Sequence, residues 1–244
     1  METSVPQTLS DWLQFFFSEY GMRNRLRLGG PIERVGLLSL SVKDLQDAIR
    51  KKEQLEHKKL DIALSRVVAR ISCIAEHYLD LPLVESFIAK YMGGVCSYCR
   101  QRPCVCSESR RSEPTKVKLT SQPDQTLAEC CTELEANYGA ANSAKGIENL
   151  VNRLFSEVGE ILSLVMGSLR SDSSSDQLRR ELAEELADAL AWTIAVSNFL
   201  GVDLQTALAD WFWPHCRVCQ AKPCQCGPFS VRLVNWEASQ EAES

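Results

Sequence analysis

Three kinds of feature are scarce in this 244-residue chain, and each scarcity removes a class of protein. No apolar run approaches the roughly 20 residues that a membrane-spanning helix needs. The opening METSVPQTLSDW has neither the basic nor the apolar part of an export signal, so the expectation is a cytoplasmic protein without membrane partners. Positive charge is also short. With 27 Lys and Arg against 32 Asp and Glu, the net charge of -5 argues against nucleic acid as the main partner. Proline is missing from 124–213, which leaves long helices uninterrupted there.

Cysteine, by contrast, is abundant, with eleven residues. In a chain without an export signal, that number points to metal ligation rather than disulfides. Cys96, Cys99, Cys104 and Cys106 read C-x2-C-x4-C-x-C, and Cys216, Cys219, Cys224 and Cys226 repeat the pattern 120 positions later. Each set of four thiolates would close a tetrahedral shell, so two structural zinc ions per chain are expected. Cys73, Cys130 and Cys131 lie outside the pattern and read as small core residues.

The repetition is wider than the cysteines. TLSDWLQFFFSEYG at 8–21 matches TLAECCTELEANYG at 126–139. The chain therefore divides into a first copy (1–106), a polar, proline-containing linker (107–125) and a second copy (126–244). Short strands are expected at Val117–Leu119 and Val231–Val234. Otherwise both copies read as all-α, with four helices and a cysteine knuckle each. In the second, apolar residues recur at helical spacing from Leu150 to Val165. A Ser/Asp-rich break at 171–176 precedes a helix from Asp176 to Leu200, closed by Gly201, and Asp203 opens a shorter helix that ends near Trp213.

Two carboxylate pairs stand out: Glu157 with Glu160, and Glu185 with Asp188. Spacing of i, i+3 puts each pair on one helix face. If the two helices return antiparallel, four acids face one another and repel unless cations separate them. Magnesium, a hard ion with oxygen ligands, suits such a place. Asp188 lies in the apolar LADALAWTIAVSNFL and, once buried, needs a metal or a cationic partner. Arg179, Arg180, Glu181 and Glu184 read as solvated charge, and Trp192 as packing or a surface for a base.

LFSEVGEI followed by ELAEELADALAWTIAVSNFLGVDLQTAL resembles the MazG-like all-α nucleoside triphosphate pyrophosphohydrolases, whose signature is E-x-x-E, a spacer, then E-x-x-D. The resemblance implies hydrolysis of a nucleoside triphosphate, ribo- or deoxyribo-, to monophosphate and pyrophosphate. It implies Glu157, Glu160, Glu185 and Asp188 as catalytic ligands of magnesium or manganese. The alternative is a catalytically weak nucleotide-sensing or scaffolding protein on the same fold. One departure is plain: the stretch after the second short helix, ALADWFWPHC, lacks the lysine, asparagine and arginine that many members place there. In the first copy, alignment puts Ser41, Asp44, Ser65 and Val68 at the four acidic positions, so that copy is expected to be degenerate; Glu53 and Glu56 keep E-x-x-E spacing without a downstream pair. Since MazG-like proteins pair protomers, the resemblance implies an internal pseudo-dimeric helix bundle, with room for a further homodimer.

Overall fold

The computed structural model describes residues 4–51, 57–78, 81–106, 125–170, 176–217 and 219–226. They form eight helices: α1 (Leu9–Arg27), α2 (Pro31–Arg50), α3 (His57–His77), α4 (Leu83–Tyr91), α5 (Leu127–Lys145), α6 (Ile147–Arg170), α7 (Asp176–Leu200) and α8 (Leu204–Phe212). No strand occurs among the described residues, only an isolated antiparallel bridge between Thr8 and Thr126. The strands expected at Val117–Leu119 and Val231–Val234, and the pair Glu53 and Glu56, lie outside the described residues. No described helix is long and apolar enough to cross a membrane.

Local chemistry sets the helix ends. Thr8 and Thr126 each form a capping box: their hydroxyls accept from the backbone N–H groups of Asp11 and Glu129, whose carboxylates accept from the two cap N–H groups. Pro31 starts α2 at a position where a missing N–H costs nothing. Gly201, at φ +70, ends α7 in a conformation that a side chain would strain. Asp203 caps α8 by accepting from Thr206 N–H at 3.0 Å.

α2 packs along α3, and α6 along α7; α1 leans on α3, and α5 on α7. Helices also meet across the two parts of the chain: α2 with α6, α3 with both α7 and α8, and α4 with α7. One continuous core results, containing Leu38, Val42, Leu64 and Ile71 together with Leu154, Ile161, Leu186 and Ile194. The ends of the chain close on each other. Trp12 donates its indole N–H to Gln205 at 2.9 Å, and Phe16 meets Phe212 edge to face at 5.0 Å between centroids.

The cysteine knuckles are exchanged between the parts. Cys104 N–H donates to the Asn137 carbonyl of α5 at 2.7 Å, and Cys224 N–H donates to the Glu19 carbonyl of α1 at 2.8 Å. Each knuckle thus rests on a helix from the other part. Cys73 and Cys130 are buried and Cys131 is half-buried, as small apolar residues should be.

Candidate functional site

The eight patterned cysteines gather as their spacing implies. Within each quartet all four Sγ atoms lie within 4.8 Å of one another. Cys96 and Cys106 are 3.7 Å apart, Cys99 and Cys104 3.9 Å, Cys216 and Cys226 3.6 Å, and Cys219 and Cys224 3.9 Å. Zinc–sulfur bonds of 2.3 Å at tetrahedral angles require sulfur separations of about 3.8 Å. These distances are far beyond a disulfide bond, and all eight thiols are free. The quartets could therefore each hold a zinc ion. Backbone N–H groups steady the sulfurs: Cys106 N–H reaches Cys104 Sγ, and Gln225 N–H reaches Cys219 Sγ, each at 3.4 Å. Burial raises the pKa of Cys99 and Cys219, but hydrogen bonds from backbone and neighbouring thiols outweigh it and bring both to about 6. His215 stands outside its quartet and contacts Gln220 instead.

A second cluster forms between α6 and α7. Glu157, Glu185 and Asp188 bring carboxylate oxygens within 4.8 Å of one another. Glu157 comes from α6 and the other two from α7, one helical turn apart on the same face. Glu160 is not in that group. It is exposed at the rim, and its charge still acts on Glu157 and Glu185. Burial, then the charge of Asp188, raises Glu157 to about 7 and Glu185 to about 8. Trp192 donates its indole N–H to Glu157 Oε1 at 3.0 Å. It therefore orients a carboxylate, a role that packing or base stacking did not anticipate.

Asp188 is held by the other part of the chain. Lys90 Nζ lies 2.6 Å from Oδ1 and 2.5 Å from Oδ2, and the Tyr91 hydroxyl donates to Oδ1 at 2.8 Å. Both residues end α4. Burial lowers the Lys90 pKa, but the charge and hydrogen bond of Asp188 outweigh this and raise it. The Tyr91 hydroxyl is pushed up by burial and by Asp188. Asp188 is half-buried rather than fully buried as expected, and the cationic partner expected of it is a lysine. Sequence reasoning looked for cations beside the second short helix and found none. Both partners lie in SFIAKYM, at the end of α4.

In the first part, the residues aligned with the acids do not form a cluster. Val68 and Ser65 are buried in the core, at 2% and 0% exposure, and Ser41 turns its hydroxyl onto the Leu37 carbonyl. Among the described residues no second acid-bearing group gathers there. Across the two parts, the Arg66 guanidinium of α3 lies 5.6 Å from the Trp211 ring centroid of α8. Trp211 is the eighth residue of α8, as Lys90 is the eighth of α4. Five residues connect α3 to α4, against three between α7 and α8.

Three half-buried carboxylates from two helices form a donor set of hard oxygens suited to a divalent cation of the magnesium type. Comparison of the chain with protein-family models, with curated proteins and with solved structures finds no match.

Proposed function

We propose that the cluster of Glu157, Glu185 and Asp188, with Glu160 at its rim, is the active site of a nucleoside triphosphate pyrophosphohydrolase of the MazG-like kind. The observation that carries this reading is the meeting of the acids from two separate helical motifs in one cleft. Glu157, Glu185 and Asp188 would hold magnesium or manganese, which when bound supplies charge neutralisation on the phosphates and an activated water. The chain's own contributions are positional. The Trp192 N–H fixes Glu157, the Tyr91 hydroxyl fixes Asp188, and Lys90 brings positive charge to a cleft that would otherwise repel a triphosphate.

The same proposal covers the architecture. Helices of matched length, 19 residues in α1 and α5 and nine in α4 and α8, support a tandem duplication. The facing of α2 with α6, and of α3 with α7, supports an internal pseudo-dimer. In it the first copy is catalytically degenerate and supplies Lys90 and Tyr91 to its neighbour. The cysteine quartets would then be closed, structural zinc sites.

The test is incubation with magnesium and a panel of ribo- and deoxyribonucleoside triphosphates, followed by separation of products. Monophosphate and pyrophosphate in equal amounts are expected. Asp188→Asn or Glu185→Gln should lower the rate by about a hundredfold or more with the helical fold retained. Variants that turn over at the parent rate would remove the assignment.

One observation favours the alternative of a nucleotide-sensing or scaffolding protein. Lys90 occupies both oxygens of Asp188 and neutralises it without a metal. Lys90→Ala separates the readings. The enzyme loses turnover, whereas a scaffold loses only stability.

A further inference from the structure

The two cysteine knuckles are fastened to the helices in matching ways, but only one fastening leads to a carboxylate of the acidic cluster. In the first knuckle, Cys104 N–H donates to the Asn137 carbonyl of α5 at 2.7 Å. Arg102 reaches Glu133 of the same helix at 3.1 Å and the Gly94 carbonyl at 3.5 Å. One side chain thus ties together the knuckle, α5 and the connection that leaves α4. Asn137 is fully buried and donates to Glu133 Oε1 at 3.0 Å. Only residues 92–95 separate Tyr91, the last residue of α4, from Cys96.

Tyr138 follows Asn137 directly and is half-buried. Its ring meets the Tyr91 ring edge to face, with 6.3 Å between centroids and 77° between planes. Its hydroxyl engages Cys96 and the Ser97 backbone. The Tyr91 hydroxyl in turn donates to Asp188 Oδ1 at 2.8 Å. A continuous path of contacts therefore runs from the first thiol quartet to Asp188. The second knuckle makes the matching contacts and ends differently. Cys224 N–H donates to the Glu19 carbonyl of α1 at 2.8 Å, and Lys222 pairs with the Glu19 carboxylate at 3.5 Å. The next residue, Tyr20, meets Phe212 edge to face at 5.8 Å and 78°. Phe212 ends α8 as Tyr91 ends α4, but it carries no hydroxyl, so this path stops on an apolar ring.

We propose that Tyr138 is a positioning residue for the acidic cluster, through which the first cysteine quartet, and not the second, governs how tightly the cluster holds a divalent cation. Groups outside the ligand set that orient a ligating carboxylate change metal affinity by about 10–100-fold. The Tyr91 hydroxyl is such a group for Asp188, and Tyr138 fixes the ring that bears it. A filled first quartet fixes Cys96 and Cys104, and with them the contacts that hold α5 and Tyr138 against the end of α4. The inference rests on the reading of Glu157, Glu185 and Asp188 as ligands of a divalent cation, and it does not require that they hydrolyse anything.

The experiment titrates the zinc-loaded full chain with manganese, without nucleotide, and reads free against bound manganese by electron paramagnetic resonance. Manganese prefers oxygen ligands and leaves the thiolates to zinc. The parent should bind manganese at a site that Glu185→Gln weakens. Cys99→Ser and Cys219→Ser each remove one thiolate and are matched controls for each other. Cys99→Ser should bind manganese about tenfold more weakly, and Cys219→Ser should stay within about twofold of the parent. Tyr138→Leu leaves all eight thiols in place and should also weaken manganese about tenfold, while Tyr138→Phe, which keeps the ring against Tyr91, should restore most of the affinity. This second pair carries the test if Cys99→Ser fails to fold. Equal weakening in the two cysteine variants, or parent affinity in Tyr138→Leu, overturns the proposal and leaves the cluster a metal site. A parent that binds no manganese, or a Glu185→Gln chain of unchanged affinity, overturns the reading of the cluster and the proposal with it.

Discussion

Burial and the charge of Asp188 make the protonation of Glu157 and Glu185 differ between the folded and unfolded chain, and stability follows. Glu157 and Glu185 carry pKa values of about 7 and about 8, against 4.5 for the free side chain. Between those limits the folded chain holds more protons than the unfolded one, so stability falls as pH rises. Without divalent cations, the melting temperature should decline from about pH 5.5 to about pH 8.5. Manganese or magnesium should restore most of the loss at the upper end. Glu185→Gln should flatten the decline, and a profile that is flat in the parent would show that burial does not act on these carboxyls. Trp192→Phe belongs at the same scale. It keeps the ring and removes the donor to Glu157, a charged hydrogen bond worth roughly 1.5–3 kcal/mol. Metal affinity measured by titration should drop about tenfold or more, and an unchanged affinity would leave Trp192 a packing residue. Spacing singled out Glu157, Glu185 and Asp188, which the structure gathers, and Glu160, which it leaves outside that group. Lys90 and Tyr91 were not legible, because a partner 98 positions away leaves no local pattern.

At the scale of elements, the caps and knuckles were the most readable parts. The bounds of α7, Asp176 to Leu200, coincide with the expected helix, because a break, an apolar face and Gly201 mark its limits. The first part was harder to read, because the connection from α3 to α4 is two residues longer than that from α7 to α8 and no residue type announces it. Thr8→Ala and Thr126→Ala each remove a capping box and should each cost about 1 kcal/mol in urea unfolding. Neither should alter the acidic cleft, so activity per folded molecule stays constant. The knuckles predict a longer reach. Since Cys104 docks on α5 and Cys224 on α1, losing metal from one quartet removes support from a helix of the other part. Cys99→Ser should therefore increase amide hydrogen exchange in α5 as well as in 96–106. Protection lost only within 96–106 would mean that the knuckle is an independent ornament.

For the whole molecule, the crossing contacts make the second part incomplete alone. A fragment spanning 125–244 lacks Lys90 and Tyr91 and uncovers the face of α7 that α4 occupies. It should self-associate or aggregate, and the proposed nucleotide hydrolysis should fall by at least about tenfold relative to the full chain. Sedimentation analysis with a product assay checks both. A monomeric fragment of undiminished rate would contradict the shared cleft. The all-helical class was legible in sequence from periodicity and from the missing prolines. The meeting of the parts was not, since Trp12 and Gln205 stand 193 positions apart.

The closure of the chain's ends on each other also has a meaning in time. Phe15, Phe16 and Tyr20 of α1 are covered by Phe212 and Trp213. During synthesis at about 5–20 residues per second, α1 leaves the ribosome roughly 10–40 s before its cover is made. For that interval the part of the aromatic face that Phe212 and Trp213 cover stays open to water. The nascent chain therefore carries that uncovered face from the emergence of α1 until that of α8, which ends the wait.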